Sequence, residues 1–583
     1  MIAHLLAFTL IAPANLAIPD APVWRSERDA TGTWWLRDPQ GKPFWSFGVC
    51  CVNPGIDWKN YNPKNRSYSA FQLTPNGSTW ANQTVDQLRG WGFNSLAGWS
   101  DSELLPKVVP ERRLPYFDVL HLGAYVKAPW DDIFSTASIS RMEQVGADLV
   151  TAKRDDPFLV GWFTDNELGW WDDSLMPHYL AMPPAAAGRQ RLVKEFGTFY
   201  AQNWKNLNRD WITPAKSFSD LKRPTVMHLR PGGTGRKFIH HWTSVLSGHY
   251  YQTMHRIIRK HDPHRMILGD RYLQYATPAV VRASLPFVDA ISTNLGADWN
   301  DGSYARGYLD MLATLGQKPV LITEYYLCAN ENRSGNRNSS GGFPVVETQA
   351  ERAAGFARST RELAERPEVV GAHWFQYYDH PELGRGDGED YNMGLVDIAG
   401  KPYEGMIATA QNAKPAEVHR SPVPWTSATR IPGLPSGAVD GLKRWDRRGG
   451  WIKPTPKITF ADLYVAQDPE ALYVGCYAMN YIDERLYEGG RIPENERPEL
   501  VVRQGTSRLV AVRFMGKNRP ARLTDTAPSK ATVAFELPGL RPTLVVRIPW
   551  SEIKLTGGNV NLSVDATTHS RGDATSWKVF VPR

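Results

Sequence analysis

Cysteine is scarce in this chain: Cys50, Cys51, Cys328 and Cys476 are all that 583 residues carry. They are too few for a disulfide framework, and they lack the spacing of a metal site. Cys50 and Cys51 are neighbours on an expected strand, so their side chains point to opposite faces and burial is expected for all four. Long apolar runs are equally rare. Residues 5–12 form one beside the N-terminus, with Ala14 or Ala17 ahead of a cleavage point. Residues 1–17 therefore read as a secretory signal, although only His4 stands where Lys or Arg is usual. No other run approaches a membrane span, so a soluble secreted or periplasmic protein is expected, with no membrane partner. The net charge is +7, but no dense Lys/Arg block occurs and acidic residues are interspersed, which argues against nucleic acid. No Gly-rich phosphate turn follows the first expected strand, and no His/Cys/Asp cluster calls for a catalytic metal. No cofactor is expected for catalysis, and only a structural calcium stays open.

Aromatic residues, by contrast, are abundant: 22 Trp and 23 Tyr. Flat side chains of this size pack cores, and exposed ones offer platforms to the C–H faces of sugar rings. An N-terminal β segment over 18–43 precedes a long alternation of apolar runs and helical patterns. The runs are 44–53, 92–99, 114–120, 158–167, 265–271, 288–294, 319–326 and 369–376, with helical period at 85–91, 137–153, 247–260, 304–315 and 346–365 between them. This pattern predicts α/β architecture, a (β/α)8 TIM barrel over 44–412, with a doubly wound open sheet as the alternative. Two connections, 168–237 and 327–345, are too long for plain loops and read as walls or a lid for a cleft. A Pro-rich linker over 413–435 follows, and then short strands with turn signals over 436–583, a smaller all-β sandwich domain.

The chemistry is concentrated at two strand ends. The run 158–167 closes on Asp165-Asn166-Glu167, and 319–326 contains Thr323-Glu324. In a parallel barrel, both glutamates lie at the C-terminal mouth. Glycosidic bond cleavage needs such a pair, one carboxyl to protonate the leaving oxygen and the other to attack the anomeric carbon or activate water. Strand alternation sends Asn166 and Glu167 to opposite faces, so both serve one pocket only if the strand frays or bulges there. Asp165 is expected to support or cap rather than react.

These segments resemble clan A glycoside hydrolases, and most closely the β-agarases of glycoside hydrolase family 50. The resemblance rests on Gly161-Trp162-Phe163-Thr164-Asp165-Asn166-Glu167-Leu168, on Gly371-Ala372-His373-Trp374-Phe375-Gln376-Tyr377-Tyr378-Asp379, and on the stretch from Gly388 to Asp397. It implies a retaining hydrolase of a β-linked galactan such as agarose, with Glu167 as acid/base and Glu324 as nucleophile. It further implies Asn166 at the sugar 2-hydroxyl, Trp374 and Trp99 as stacking platforms, and a polysaccharide or oligosaccharide as partner. Asn53, Arg271, Asn294, Tyr326, His373 and Gln376 lie at or near other strand ends and are candidate sugar ligands. The final domain resembles family 9 carbohydrate-binding modules at Val439-Asp440-Gly441, Trp445, Ile548-Pro549-Trp550 and Ser576-Trp577-Lys578. There Trp445, Trp451 and Tyr481 are candidate sugar grips, while Trp550 and Trp577 are expected in the core. A clan A β-galactosidase acting on short galactosides, or a non-catalytic polysaccharide-binding protein, are the other readings.

Overall fold

The computed structural model describes residues 23–434, 442–455, 461–478, 484–513, 522–523, 530–536, 543–568 and 573–582. The secretory signal expected at 1–17, Val439-Asp440-Gly441 and Tyr481 lie outside the described residues.

The chain is organised around a nine-stranded parallel sheet. Its strands are β1 (Ser46–Val49), β2 (Ser95–Leu96), β3 (Tyr116–Val119), β4 (Leu159–Phe163), β5 (Met266–Ile267), β6 (Tyr272–Leu273), β7 (Ile291–Asn294), β8 (Val320–Tyr325) and β9 (Val369–Trp374). The spatial order is β5-β4-β3-β2-β1-β9-β8-β7-β6. The two edge strands, β5 and β6, are joined by residues 268–271 alone, so the sheet curls until its edges belong to one short stretch of chain. Side chains from opposite parts of that order, among them Phe117, Val160, Leu268, Leu321 and Val370, pack into a single interior cluster. Trp24 and Leu36 join this cluster from the N-terminal antiparallel sheet, whose strands are Arg25–Arg28, Trp34–Arg37 and Pro43–Phe44.

Curling brings backbones close, and glycine meets that demand at two places. A Cβ on Gly161 would lie 2.6 Å from the Met266 carbonyl oxygen, and one on Gly371 would lie 2.6 Å from Ser46. The strands read as continuous apolar runs because both faces are covered, one by the interior cluster and the other by helices. The helix Gln349–Ala364 illustrates the outer layer. Thr348 and Glu351 form a capping box at its start, and Phe356 and Leu363 are buried on its inner face. Such a cap contributes about 1 kcal/mol, and the buried face contributes more, about 1.5–3 kcal/mol per large apolar side chain.

The long connections are built structures. Residues 168–237 hold the helices Asp172–Ala181, Ala187–Phe199 and Trp204–Asp210 and the two-stranded sheet Trp211–Ile212 with His228–Leu229. The 327–345 segment is strapped down rather than hinged. Ser334 and Asn336 are buried, Asn392 N–H donates to Asn338 Oδ1 at 2.7 Å, and Arg333 Nε donates to Asp397 at 2.8 Å.

After the helix Pro415–His419, whose His419 is buried against Trp35 with ring centroids 4.6 Å apart, two antiparallel sheets of five and six strands follow. They share one apolar core that includes Leu463, Val474, Leu500, Val546, Val564 and Trp577, as expected of a sandwich. The expectation of exposed sugar-gripping tryptophans here is corrected. Trp445 and Trp451 are buried together with Trp299 of the parallel-sheet unit, because the sandwich docks on the segment after β7. Among its contacts, Gly307 N–H donates to Asp462 Oδ2 at 2.8 Å, Tyr477 O–H donates to Asp298 Oδ1 at 2.8 Å, and Arg447 stands over the Trp299 ring at 4.2 Å.

Candidate active site

The mouth of the sheet is built from the ends of β4, β7 and β8 and from residues 268–271. Regular strand geometry ends at Phe163, and Glu167 adopts φ +51, a left-handed conformation rare for side chains other than glycine. This break resolves the alternation problem. Asn294 Nδ2 donates to both Asn166 Oδ1, at 3.1 Å, and Glu167 Oε1, at 2.8 Å, so the two consecutive side chains converge on one amide. The segment is held in place by Glu167 N–H donating to the Asp270 carbonyl at 3.1 Å. Asp165, fully buried, accepts from the Gly123 and Ala124 N–H groups and from Tyr250 O–H at 2.7, 2.8 and 2.5 Å. Burial pushes its carboxyl up to about 7. It fixes the loop after β3 to the end of β4.

Glu324, near the end of β8, is the second carboxylate. Arg271 Nη2 donates to its Oε1 at 2.7 Å, and Trp99 Nε1 reaches the same oxygen at 3.3 Å. Arg271 also donates from Nη1 to Asn166 Oδ1 at 2.8 Å and from Nη2 to the Thr323 carbonyl at 3.1 Å. The guanidinium fits because Gly98 has no side chain; a Cβ there would lie 3.0 Å from it. One hydrogen-bonded chain thus runs Glu167–Asn294–Asn166–Arg271–Glu324. Burial is the largest influence on both glutamates and raises both. Arg271 opposes burial at both, by a direct hydrogen bond at Glu324 and by its charge alone at Glu167, where the Asn294 amide opposes it as well; Glu324 is nonetheless pushed up to about 7.

The expected sugar ligands separate into two groups. Asn166, Asn294, Trp99 and Arg271 gather at the carboxylates. Trp99, 37% exposed and with φ +66, lies against His121 at 4.8 Å with the two rings tilted by 31°. Tyr326 stands in the field of both glutamates but is buried and stacked on Phe343 at 3.9 Å, its hydroxyl accepting from Gln274. Asn53 spends its amide on the Trp99 carbonyl, at 3.2 Å, and accepts from Tyr378 O–H at 2.7 Å.

Four expectations need correction. Trp374 is fully buried on the helix side of β9, edge-on to Tyr325 and Phe356 at 5.2 and 4.9 Å, and donates to the Met393 carbonyl at 2.9 Å. It packs a core and cannot floor a sugar subsite in this arrangement. His373, one residue earlier on the opposite face, is sealed inside the sheet against Ser46 Oγ at 2.8 Å, and burial pushes it down to about 3. Gln376 is buried and donates to the Tyr378 carbonyl at 2.6 Å. Arg271 is fully buried and acts as the counter-ion of Glu324 rather than as an open sugar ligand.

Some contributors escaped the sequence reading. Asp270 accepts from Trp170 Nε1 and Tyr251 O–H, both at 2.6 Å, and steadies the residues that hold Arg271. His121 backs Trp99, and Glu389 adds its negative charge to the field at Glu324. None of these carries a local motif. Among the described residues no group of three or more His, Cys, Asp or Glu is arranged to hold a metal ion, and no helix is long and apolar enough to cross a membrane.

No family model matches the chain. Among curated proteins it is similar to β-agarase B of Vibrio sp. (strain JT0107), 26% identical over 358 residues, which are 57% of this chain and 36% of that protein. It is also similar to β-agarase A of the same organism, 25% identical over 462 residues, 66% of this chain and 44% of that protein. The chain thus spans less than half the length of either curated relative. Among solved structures, an agarase superposes with TM-score 0.57 at 23% identity, covering 68% of this chain and 66% of that one. An exo-β-agarase superposes with TM-score 0.58 at 22% identity, covering 70% and 66%. These structures show a shared fold, and the curated relatives show sequence similarity to β-agarases A and B over part of their length.

Proposed function

We propose that the chain is a retaining glycoside hydrolase acting on a β-linked galactan of the agarose type. The single observation that carries the reading is the hydrogen-bonded chain from Glu167 to Glu324. It sets two buried carboxylates at one mouth, on strands that are not adjacent, with a cation bonded to Glu324 and a neutral amide bonded to Glu167. We read the nine strands as an eight-stranded barrel whose fifth strand, 266–273, is interrupted at Arg271. Similarity to β-agarases A and B supports the substrate class.

In this mechanism Glu167 enters protonated and gives its proton to the glycosidic oxygen as the C–O bond breaks. Glu324 enters ionised and attacks the anomeric carbon, forming a glycosyl ester. Ester formation removes the negative charge of Glu324, which lowers the affinity of Glu167 for a proton only after that proton has been used. Water then attacks the ester, Glu167 takes the water's proton, and Glu324 leaves as a carboxylate. Asn166 holds Arg271 and Asn294 through its Oδ1, which leaves its NH2 group to meet the sugar 2-hydroxyl. The Arg271 guanidinium steadies Glu324 before attack and after release.

The test is digestion of agarose, porphyran and a β-galactoside, with products read by mass spectrometry and the first-formed anomer by proton NMR. Neutral galactan fragments released with retained β-configuration are expected. Inversion overturns the assignment of Glu324 as nucleophile, and turnover of the short galactoside alone overturns the polysaccharide reading.

A further inference from the structure

Among the large apolar side chains exposed to water, one follows Glu167 by four residues. Trp171 is 55% exposed although Leu168 and Trp170 just before it are buried. Both ends of 167–170 are fixed to the same residue: Glu167 N–H bonds the Asp270 carbonyl, and Trp170 Nε1 bonds Asp270 Oδ2 at 2.6 Å. Gly169 turns the chain with φ +70, and Trp171 N–H returns to the Gly169 carbonyl at 2.8 Å. The turn folds the indole back over Gly169. Its Cε2 and Cζ2 atoms lie 3.5 Å from the point where a Gly169 Cβ would stand, two residues from Glu167.

The indole is also braced from behind. Trp130, on the loop after β3, meets Trp171 at a centroid distance of 5.6 Å and an angle of 54°. Trp130 is in turn held edge-on by His178, at 5.1 Å, from the helix that Trp171 opens. A ring kept in position by a second ring while more than half of it stays in water is arranged to receive a flat apolar partner.

We infer that Trp171, backed by Trp130, is a leaving-group subsite that stacks on the hexopyranose ring released when the glycosidic bond is cut. The inference rests on the assignment of Glu167 as the acid, because the sugar bonded to the oxygen that Glu167 protonates must lie on Glu167's side of the mouth. The occupant is one neutral sugar ring of the polysaccharide, recognised by its C–H face. Trp99, which bonds Glu324, would serve the other side of the scissile bond.

The test compares two substrates with the same glycone: an agarose-derived oligosaccharide, whose leaving group is a sugar, and the corresponding β-glycosyl fluoride, whose leaving group has no ring. Trp171→Ala is expected to lower kcat/KM on the oligosaccharide about tenfold more than on the fluoride, mainly through KM. Trp171→Phe is expected to recover part of the loss, and Phe580→Ala, which removes an exposed ring from the sandwich strand Asp573–Pro582, to change neither substrate. Equal losses on the two substrates would make Trp171 a structural residue and overturn the inference, as would an unchanged oligosaccharide rate. A wild-type chain that turns over neither substrate would overturn the hydrolase reading and the subsite with it.

Discussion

Two regions of this molecule hold buried carboxylates with raised proton affinity, and they differ in what surrounds them. Beneath the sandwich, Asp462 is pushed up to about 6 by burial and Asp298 to about 7. Each is satisfied: Asp462 accepts from Gly307 N–H and from Trp451 Nε1 at 2.8 and 3.1 Å. Asp298 accepts from Tyr275 O–H, Tyr477 O–H and Ala305 N–H at 2.8, 2.8 and 2.6 Å. Their donors belong to two units of the chain, and they staple one to the other. At the mouth of the parallel sheet, burial again raises Glu167 and Glu324, but the groups stand beside a half-exposed Trp99 and share one cation. Perturbed proton affinity reports burial. Chemistry requires in addition an open side and a pair of groups with different partners.

The sharpest break between the regions comes from removing charge. Glu167→Gln and Glu324→Gln are each expected to lower kcat on agarose by about 1,000-fold or more while Glu167→Gln leaves the thermal midpoint nearly unchanged. Near-wild-type turnover in either would undo the assignment. Arg271→Met comes next, because it leaves Glu324 without its cation in a buried setting. A loss of about 3–5 kcal/mol in stability by denaturant titration is expected, together with a loss of turnover.

Asp462→Ala addresses the other region. It strands the Gly307 and Trp451 donors and is expected to cost about 2–4 kcal/mol of stability, with kcat of the folded protein retained. An unchanged melting curve would mean that the staple carries no weight. The smallest effect concerns pH. Asp298 and Asp462 bind protons more tightly when folded than when unfolded, so their contribution is fully present below about pH 4 and is lost as pH rises to about 6–7. In Asp298→Asn the decline of stability over that range is expected to be shallower than in the wild type, as read from denaturant midpoints at several pH values.

How much of this was legible in the sequence depends on the range of the interaction. The run 158–167 marks a candidate site locally, as a buried strand that ends on three polar residues. The eight apolar runs likewise stand out by composition, and the curled parallel sheet follows their order. Trp374 was misread because a strand end shows a residue's position along the strand but not its face: the alternation that turns His373 inward turns Trp374 out to the helices. Trp445 and Trp451 looked exposed because nothing near them in sequence could cover them; the cover comes from residues around Trp299. Arg271 was recognised as a site residue, but its role depends on Glu324, Asn166 and the space above Gly98, none of them close in sequence.

The most direct test of the central claim is covalent trapping. The full-length protein is incubated with a 2-deoxy-2-fluoro glycosyl fluoride of the galactan repeat, digested, and sequenced by tandem mass spectrometry. A single glycosyl adduct on Glu324 is the predicted result, and an adduct on Glu167 or on any other side chain would contradict it.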